Sequence, residues 1–207
     1  TSAGNLLGLS NKGLIEVKGK TEGDGLVQEA RLSIESHVDD SVGLYNSGQI
    51  HCYALGGVVS GEEAVGILND ESGYIEVTTD FNSYTHRKNN IGLSNSGSIQ
   101  IMGNAAFFAY NQFHFATMIM DDTYSENTCA AKIETSGRFT AENIELYSHG
   151  SNTGLSNYGY VCAKNKLSMI DYDEYHVDAC YLDMGGILSY GAKETTSKDG
   201  LKRFEGN

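Results

Sequence analysis

One motif returns along this chain often enough to limit what it can fold into. Residues 91–101 read Ile-Gly-Leu-Ser-Asn-Ser-Gly-Ser-Ile-Gln-Ile, and near-copies begin at Gly8, Gly43 and Gly154. A fifth copy, residues 66–77, carries two extra residues in its middle. Residues 132–141 are a looser sixth copy and 179–188 a degraded seventh. Within each unit, aliphatic residues at alternate positions are a strand signature with period two, and Asn-x-Gly between them is turn chemistry. The unit therefore reads as strand, turn, strand.

The turn residues are Asn11 and Gly13, Asn46 and Gly48, Asn69 and Gly73, Asn95 and Gly97, and Asn157 and Gly159. Asn bonds its own backbone two residues on, and Gly supplies a positive φ, so these glycines are expected at φ values that other residues resist. The alternation marks Ile15, Val17, Ile50, Ile75, Val77, Ile99, Ile101 and Val161 as core. Copies recur at spacings of roughly 23 to 38 residues where neighbours are clear, within the window for solenoids and stacked arrays. The expected fold is all-β, with the units stacked as β-arches in a β-solenoid or cross-β-like array, Asn over Asn and Ile over Ile. A single copy is equally compatible with an antiparallel hairpin. Residues 1–190 read as one repetitive domain and residues 191–207 as a charged tail or arm.

Composition bears on the ladder. Proline is absent, against average usage of about 5%, so every backbone N–H is available to strand pairing. The 14 basic and 27 acidic residues give a formal net charge of −13. That balance argues against nucleic acid, which needs clustered Lys and Arg. No apolar run reaches the roughly 18 residues needed to cross a bilayer as a helix, so no membrane insertion is expected. A start at Thr1 without an apolar leader fits a mature chain whose signal peptide has been removed, or a trimmed one.

Between the units, residues 20–25 read as a polar connector, 30–38 as a strand with Leu32, Ile34 and Ser36 on one face, and 55–63 as a Gly-rich loop. Residues 78–90 read as a surface segment with Tyr84, His86, Arg87 and Lys88 together. Residues 105–120 form the most apolar segment, either core filling or a docking strand.

Catalytic chemistry is sparse. The six histidines fall on outward positions or in loops without metal-ligand spacing. The carboxylates Asp39 and Asp40, Asp121 and Asp122, and Asp171, Asp173 and Glu174 could bind calcium or form an acid and base pair, but none has the spacing of a calcium loop. No cofactor, metal or enzymatic activity is expected. The cysteines Cys52, Cys129, Cys162 and Cys180 lack C-x-x-C spacing, which disfavours a zinc site. Register places Cys52 and Cys129 inward and Cys162 outward, so all four are disulfide candidates and Cys162 is the one expected to pair between subunits.

The Gly-Leu-Ser-Asn-x-Gly-x-Ile repeats, absent proline, acidic balance and few cysteines resemble the extracellular sheath proteins of filamentous methanogenic archaea. The resemblance spans residues 8–163. It implies a self-assembling homopolymer at the cell surface, joined through β-strand edges into an amyloid-like, disulfide-cross-linked tube. The same Asn-x-Gly strands are similar to those of filamentous adhesins and phage tail fibres, which would imply a module that binds surface glycans.

Overall fold

A computed structural model describes residues 6–21, 27–28, 30–87, 89–109, 129–148, 153–171, 180–182, 187–190, 193–196 and 202–205. These residues are all-β. β1 (Leu6–Asn11) and β2 (Leu14–Val17) are followed by a small antiparallel pair, β3 (Lys20–Thr21) with β4 (Val27–Gln28), and then β5 (Arg31–Ser36). The same circuit recurs as β6 (Ser41–Asn46), β7 (Gln49–Cys52) and β8 (Ala54–Val59), then as β9 (Val65–Asn69), β10 (Tyr74–Val77) and β11 (Phe81–Thr85). It returns again as β12 (Ile91–Asn95), β13 (Ser98–Ile101) and β14 (Asn104–Ala109). Next come β15 (Cys129–Ile133) with the long β16 (Arg138–Ser148), and β17 (Thr153–Asn157) with the long β18 (Tyr160–Asp171). β19 (Cys180–Leu182), β20 (Ile187–Tyr190) and a second antiparallel pair, β21 (Lys193–Thr196) with β22 (Lys202–Glu205), complete the described strands.

Each strand of a circuit pairs in parallel, residue for residue, with its counterpart in the next. First strands form a seven-stranded sheet in the order β1-β6-β9-β12-β15-β17-β19. Second and third strands form an eleven-stranded sheet that runs β2-β7-β10-β13-β16-β14-β11-β8-β5, with β18 and β20 added beyond β16. β16 joins its two arms: Arg138–Thr140 pairs with β13 and Asn143–Ser148 with β14. The sheet thus folds back on itself and nearly closes like a barrel. The two strands flanking each Asn-x-Gly turn lie in different sheets and never pair with each other, so the described turns do not close antiparallel hairpins.

Alternation explains the second strands. In β10, Ile75 and Val77 point in while Tyr74 and Glu76 point out, and β13 repeats this with Ile99 and Ile101. Parallel register then stacks like on like: Ile50, Ile75, Ile99, Phe139 and Val161 share one buried column. Ile15 and Val17 are half-buried against the same core, at its N-terminal end. Burial of one such aliphatic side chain contributes about 1.5 to 3 kcal/mol.

Several expectations are corrected by the third strands. Residues 55–63 do not form a loop throughout, because β8 occupies Ala54–Val59 and buries Leu55 and Val59. Residues 78–90 are not simply a surface segment. β11 buries Phe81, Ser83 and Thr85, and Phe81 packs on Phe107 and Phe139 with ring centroids 5.6 and 6.2 Å away. His86 is buried rather than outward, while His37 is exposed and His51 half-buried. Of the apolar 105–120 segment, β14 takes the start and residues 110–120 lie outside the described residues, as do His114, His149, His176, Asp121, Asp122, Asp173 and Glu174.

In the first strands alternation fails at the glycine. Pairing runs Leu7 to Val42 and then Leu9 to Leu44, skipping Gly8 and Gly43. These glycines sit where another strand comes close: a Cβ on Gly43 would lie 2.7 Å from Ile34 Cγ2, and one on Gly66 would lie 2.6 Å from Val59 Cγ2. The residue before the glycine consequently turns outward. Cys129, in register with Ile91, is half-buried rather than inward, which corrects its expected position.

Candidate functional site

Two features stand out from the regular scaffold: a buried column of asparagines and the N-terminal end of the stack on which that column terminates. Asn11, Asn46, Asn69 and Asn95 occupy one register position in β1, β6, β9 and β12. Asn11 Nδ2 donates to Asn46 Oδ1 (2.7 Å), Asn46 Nδ2 to Asn69 Oδ1 (2.7 Å) and Asn69 Nδ2 to Asn95 Oδ1 (2.8 Å). Asn95 Nδ2 turns to the Arg138 carbonyl (3.0 Å), because Ile133 takes the ladder position in β15. Asn157 resumes the column in β17 and accepts from Gly159 N (3.0 Å). Gly13 N and Gly48 N donate likewise to Asn11 and Asn46. Such buried amides are tolerated because partners satisfy them.

The turn glycines are required, but not for the expected reason. None of Gly13, Gly48, Gly73, Gly97 and Gly159 has φ in the left-handed region. What they supply is room for the neighbouring turn. A Cβ on Gly48 would collide with the Gly13 carbonyl, one on Gly73 would lie 2.6 Å from Asn46 O, and one on Gly97 would collide with the carbonyls of Asp70 and Gly73. Gly159 meets the carbonyls of Glu134 and Gly137 in the same way. Gly13 has no atom within 4 Å of such a Cβ, since no described turn lies against its outer side.

At that end the core column of the first strands is open. Leu9 is 40% exposed although it shares a column with the fully buried Leu44, Ile67 and Leu93, and Leu6, Leu7 and Leu14, the last two on outward positions, are 52 to 58% exposed. Among the described residues no strand pairs with the outer edges of β1, β2 or β5. β2 and β5 carry charges along those edges, Glu16 on one and Arg31 and Glu35 on the other, with Lys12 and Lys18 flanking β2. β1 carries none. Charge on an edge strand discourages pairing with another chain, and its absence leaves the edge available.

Cysteine positions divide. Cys52 is buried, and that burial pushes its thiol pKa up to about 12, so the reactive thiolate is suppressed. Cys129 and Cys162 are half-buried, and the Cys180 side chain lies outside the described residues. Cys162 shares the outer column of Thr140 and Gln100. Among the described residues no group of three or more His, Cys, Asp or Glu could hold a metal, and no helix is long and apolar enough to cross a membrane.

A second surface escaped the sequence reading. On the outer side of the third strands, Tyr84, Phe108 and Tyr147 share a register column and stack face to face, with centroids 4.5 and 4.6 Å apart. Four residues earlier along the same strands, about 13 Å away at the usual strand rise, runs a polar column in which Asn143 Nδ2 donates to Asn104 Oδ1 (2.8 Å) and Asn104 Nδ2 to Asp80 Oδ1 (3.2 Å). Aligning residues 78–90 with 104–109 as strands would have exposed both columns; reading the former as a surface segment hid them.

Compared with models of protein families, with curated proteins and with solved structures, the chain matches none.

Proposed function

We propose that the chain is a β-solenoid of stacked β-arches that serves as a structural, non-enzymatic subunit and polymerises with copies of itself through strand edges. On this reading it builds an extracellular sheath or tube, needs no cofactor, and is further tied by disulfides between subunits, with Cys162 the foremost candidate. The observation that carries the reading is the uncharged β1 edge, where Leu9 lies exposed at the end of the column that buries Leu44, Ile67 and Leu93, with Leu6, Leu7 and Leu14 exposed around it. Exposed apolar groups contiguous with unpaired N–H and C=O groups are a template for addition of another strand.

A net charge of −13 opposes association of copies, and salt screens that repulsion, the Debye length falling to about 8 Å at physiological ionic strength. Purified protein should therefore assemble as concentration and salt rise, visibly as fibres or tubes in electron micrographs and as heavy species in sedimentation. A chain that sediments as a monomer throughout that range would remove the proposal.

A second reading, an adhesin binding surface glycans, draws on the paired aromatic and amide columns of the outer face. Aromatic faces and hydrogen-bonding groups spaced along one surface suit a chain of sugar rings, which have both apolar faces and hydroxyls. Glycan-array binding that is lost in Tyr84→Ala and Asn104→Ala would favour it.

A further inference from the structure

Resting on the self-assembly proposed above, we infer that subunits join head to tail in a single register, the β1–β2 edge of one copy adding in parallel to the β19–β20 edge of the next. The protein contains its own template for this joint. Inside the chain, β17 adds to β15 with Leu155 beside Ala131, Ser156 beside Lys132 and Asn157 beside Ile133. β19 continues the same columns with Cys180, Tyr181 and Leu182. Extending the columns by one strand places Leu9, Ser10 and Asn11 beside Cys180, Tyr181 and Leu182 of the partner subunit. In the other sheet, β20 continues the columns of Tyr160, Val161 and Cys162 with Ile187, Leu188 and Ser189. Leu14, Ile15 and Glu16 then fall beside those three residues of the partner subunit.

In the β2–β20 columns Leu14 falls beside Ile187 of the partner subunit, Ile15 beside its Leu188 and Glu16 beside its Ser189, and no like charges stand in register. At the ladder position Asn11 meets an aliphatic residue, which has a precedent in the Ile133–Asn157 junction. The polarity of the ladder explains why this is tolerated. Each Nδ2 donates toward the C-terminal side, from Asn11 through Asn95 to Arg138 O. Oδ1 is met by the glycine N–H of its own turn at Asn11 and Asn157. Nothing further is needed from the N-terminal side, so a leucine there leaves no donor stranded.

A head-to-head joint lacks this template. It would require antiparallel pairing, which is absent from both large sheets among the described residues, and it would bring together two acceptor ends of the ladder. The head-to-tail joint is heterologous and does not close, so it propagates as a fibre.

Adjacent strands lie about 4.8 Å apart, inside the roughly 4.4 to 6.8 Å Cα separation that a disulfide spans. Ser10→Cys combined with Tyr181→Cys should therefore give disulfide-linked multimers under mild oxidation. Peptide mapping should find a link between positions 10 and 181, in amounts that rise with protein concentration and stay at background in either single variant. The unmodified protein supplies a second measurement: on assembly, amides of β1 and β19 should gain hydrogen-exchange protection together. Assembly without the 10–181 link and without protection of β1 overturns the joint and leaves self-assembly standing. A link between two copies of position 10, found by peptide mapping in Ser10→Cys alone, also overturns it, in favour of a head-to-head contact. Absence of any assembly overturns both.

Discussion

Replacing Asn69 by alanine isolates the value of the buried amide column. Asn69 is fully buried; it accepts from Asn46 Nδ2 at 2.7 Å and donates to Asn95 Oδ1 at 2.8 Å and to Gly73 O at 3.2 Å. The change strands one buried oxygen, Asn95 Oδ1, whereas Gly73 O keeps the backbone bond it accepts from Ser98 N at 3.0 Å. The change leaves Asn46 Nδ2 with its longer contacts to Gly48 O and Tyr74 O at 3.3 and 3.4 Å. A buried polar group without its partner costs about 1 to 3 kcal/mol, so Asn69→Ala, which also gives up its bonds to Asn46 and Gly73, should destabilise by about 2 to 3 kcal/mol. Asn11→Ala removes bonds of the same kind, but at the end of the stack, where Gly13 and Gln49 are exposed and water replaces what is lost. Its cost should be about 1 kcal/mol. Urea unfolding followed by far-ultraviolet circular dichroism, with unchanged m-values as a check on the transition, measures both. Equal losses within about 0.5 kcal/mol would refute the idea that the column is stabilised by mutual satisfaction of amides sealed from water.

Gly97→Ala should be strongly destabilising, by about 1 to 3 kcal/mol as an overpacked site, because its methyl would press on the Asp70 and Gly73 carbonyls. Gly13→Ala, with open space around the new methyl, should be neutral or slightly stabilising, and Ser96→Thr nearly silent; thermal melts compare the three, and a tolerated Gly97→Ala would sink the close-approach account. The Tyr45 hydroxyl donates to Asp70 Oδ2 (2.5 Å), and this bond raises Tyr45 and lowers Asp70. The depressed carboxyl contributes stability above the ordinary carboxylate range that is lost as pH falls through its folded value; the raised phenol contributes below about 10 and loses it as pH climbs. Carboxyl chemical shifts should show Asp70 returning toward its usual range in Tyr45→Phe, and no change would discount the pairing. Iodoacetamide at mildly alkaline pH should label Cys162 well before Cys52, whose thiol burial holds protonated; equal rates would contradict that placement.

Some of this was readable from the chain and some was not, for physical reasons. Second strands announce themselves because Ile75, Val77, Ile99 and Ile101 alternate with Tyr74, Glu76, Ser98 and Gln100 on a surface buried on one side only. Third strands are uneven. In β5 the alternation of Leu32, Ile34 and Ser36 shows, whereas β8 is buried at nearly every position and β11 turns Ser83 and Thr85 inward, so neither displays an apolar period of two. Ser83 and Thr85 point inward because the glycine strand presses on them: a Cβ on Gly92 would collide with both hydroxyls. Polarity there misled the reading toward a surface segment. The Asn-x-Gly turns were legible as turns, but their glycines were assigned to backbone conformation, whereas the constraint comes from neighbouring turns that no single copy reveals. The open end with Leu6, Leu7, Leu9 and Leu14 was invisible, since exposure depends on what stacks and not on what is written.

The isoleucine at position 133 has a mechanical corollary. In a one-dimensional array, stability is a sum of unit and nearest-neighbour terms, and cooperativity is only as long as its weakest junction allows. Four amides coupled from Asn11 to Asn95 bind their circuits into one block, whereas at Ile133 the amide-to-amide chain is interrupted and Asn95 Nδ2 turns instead to the Arg138 carbonyl. Load applied along the stack would concentrate there. In the filament proposed above, each molecule would carry this interruption once, a fault plane that repeats with every subunit.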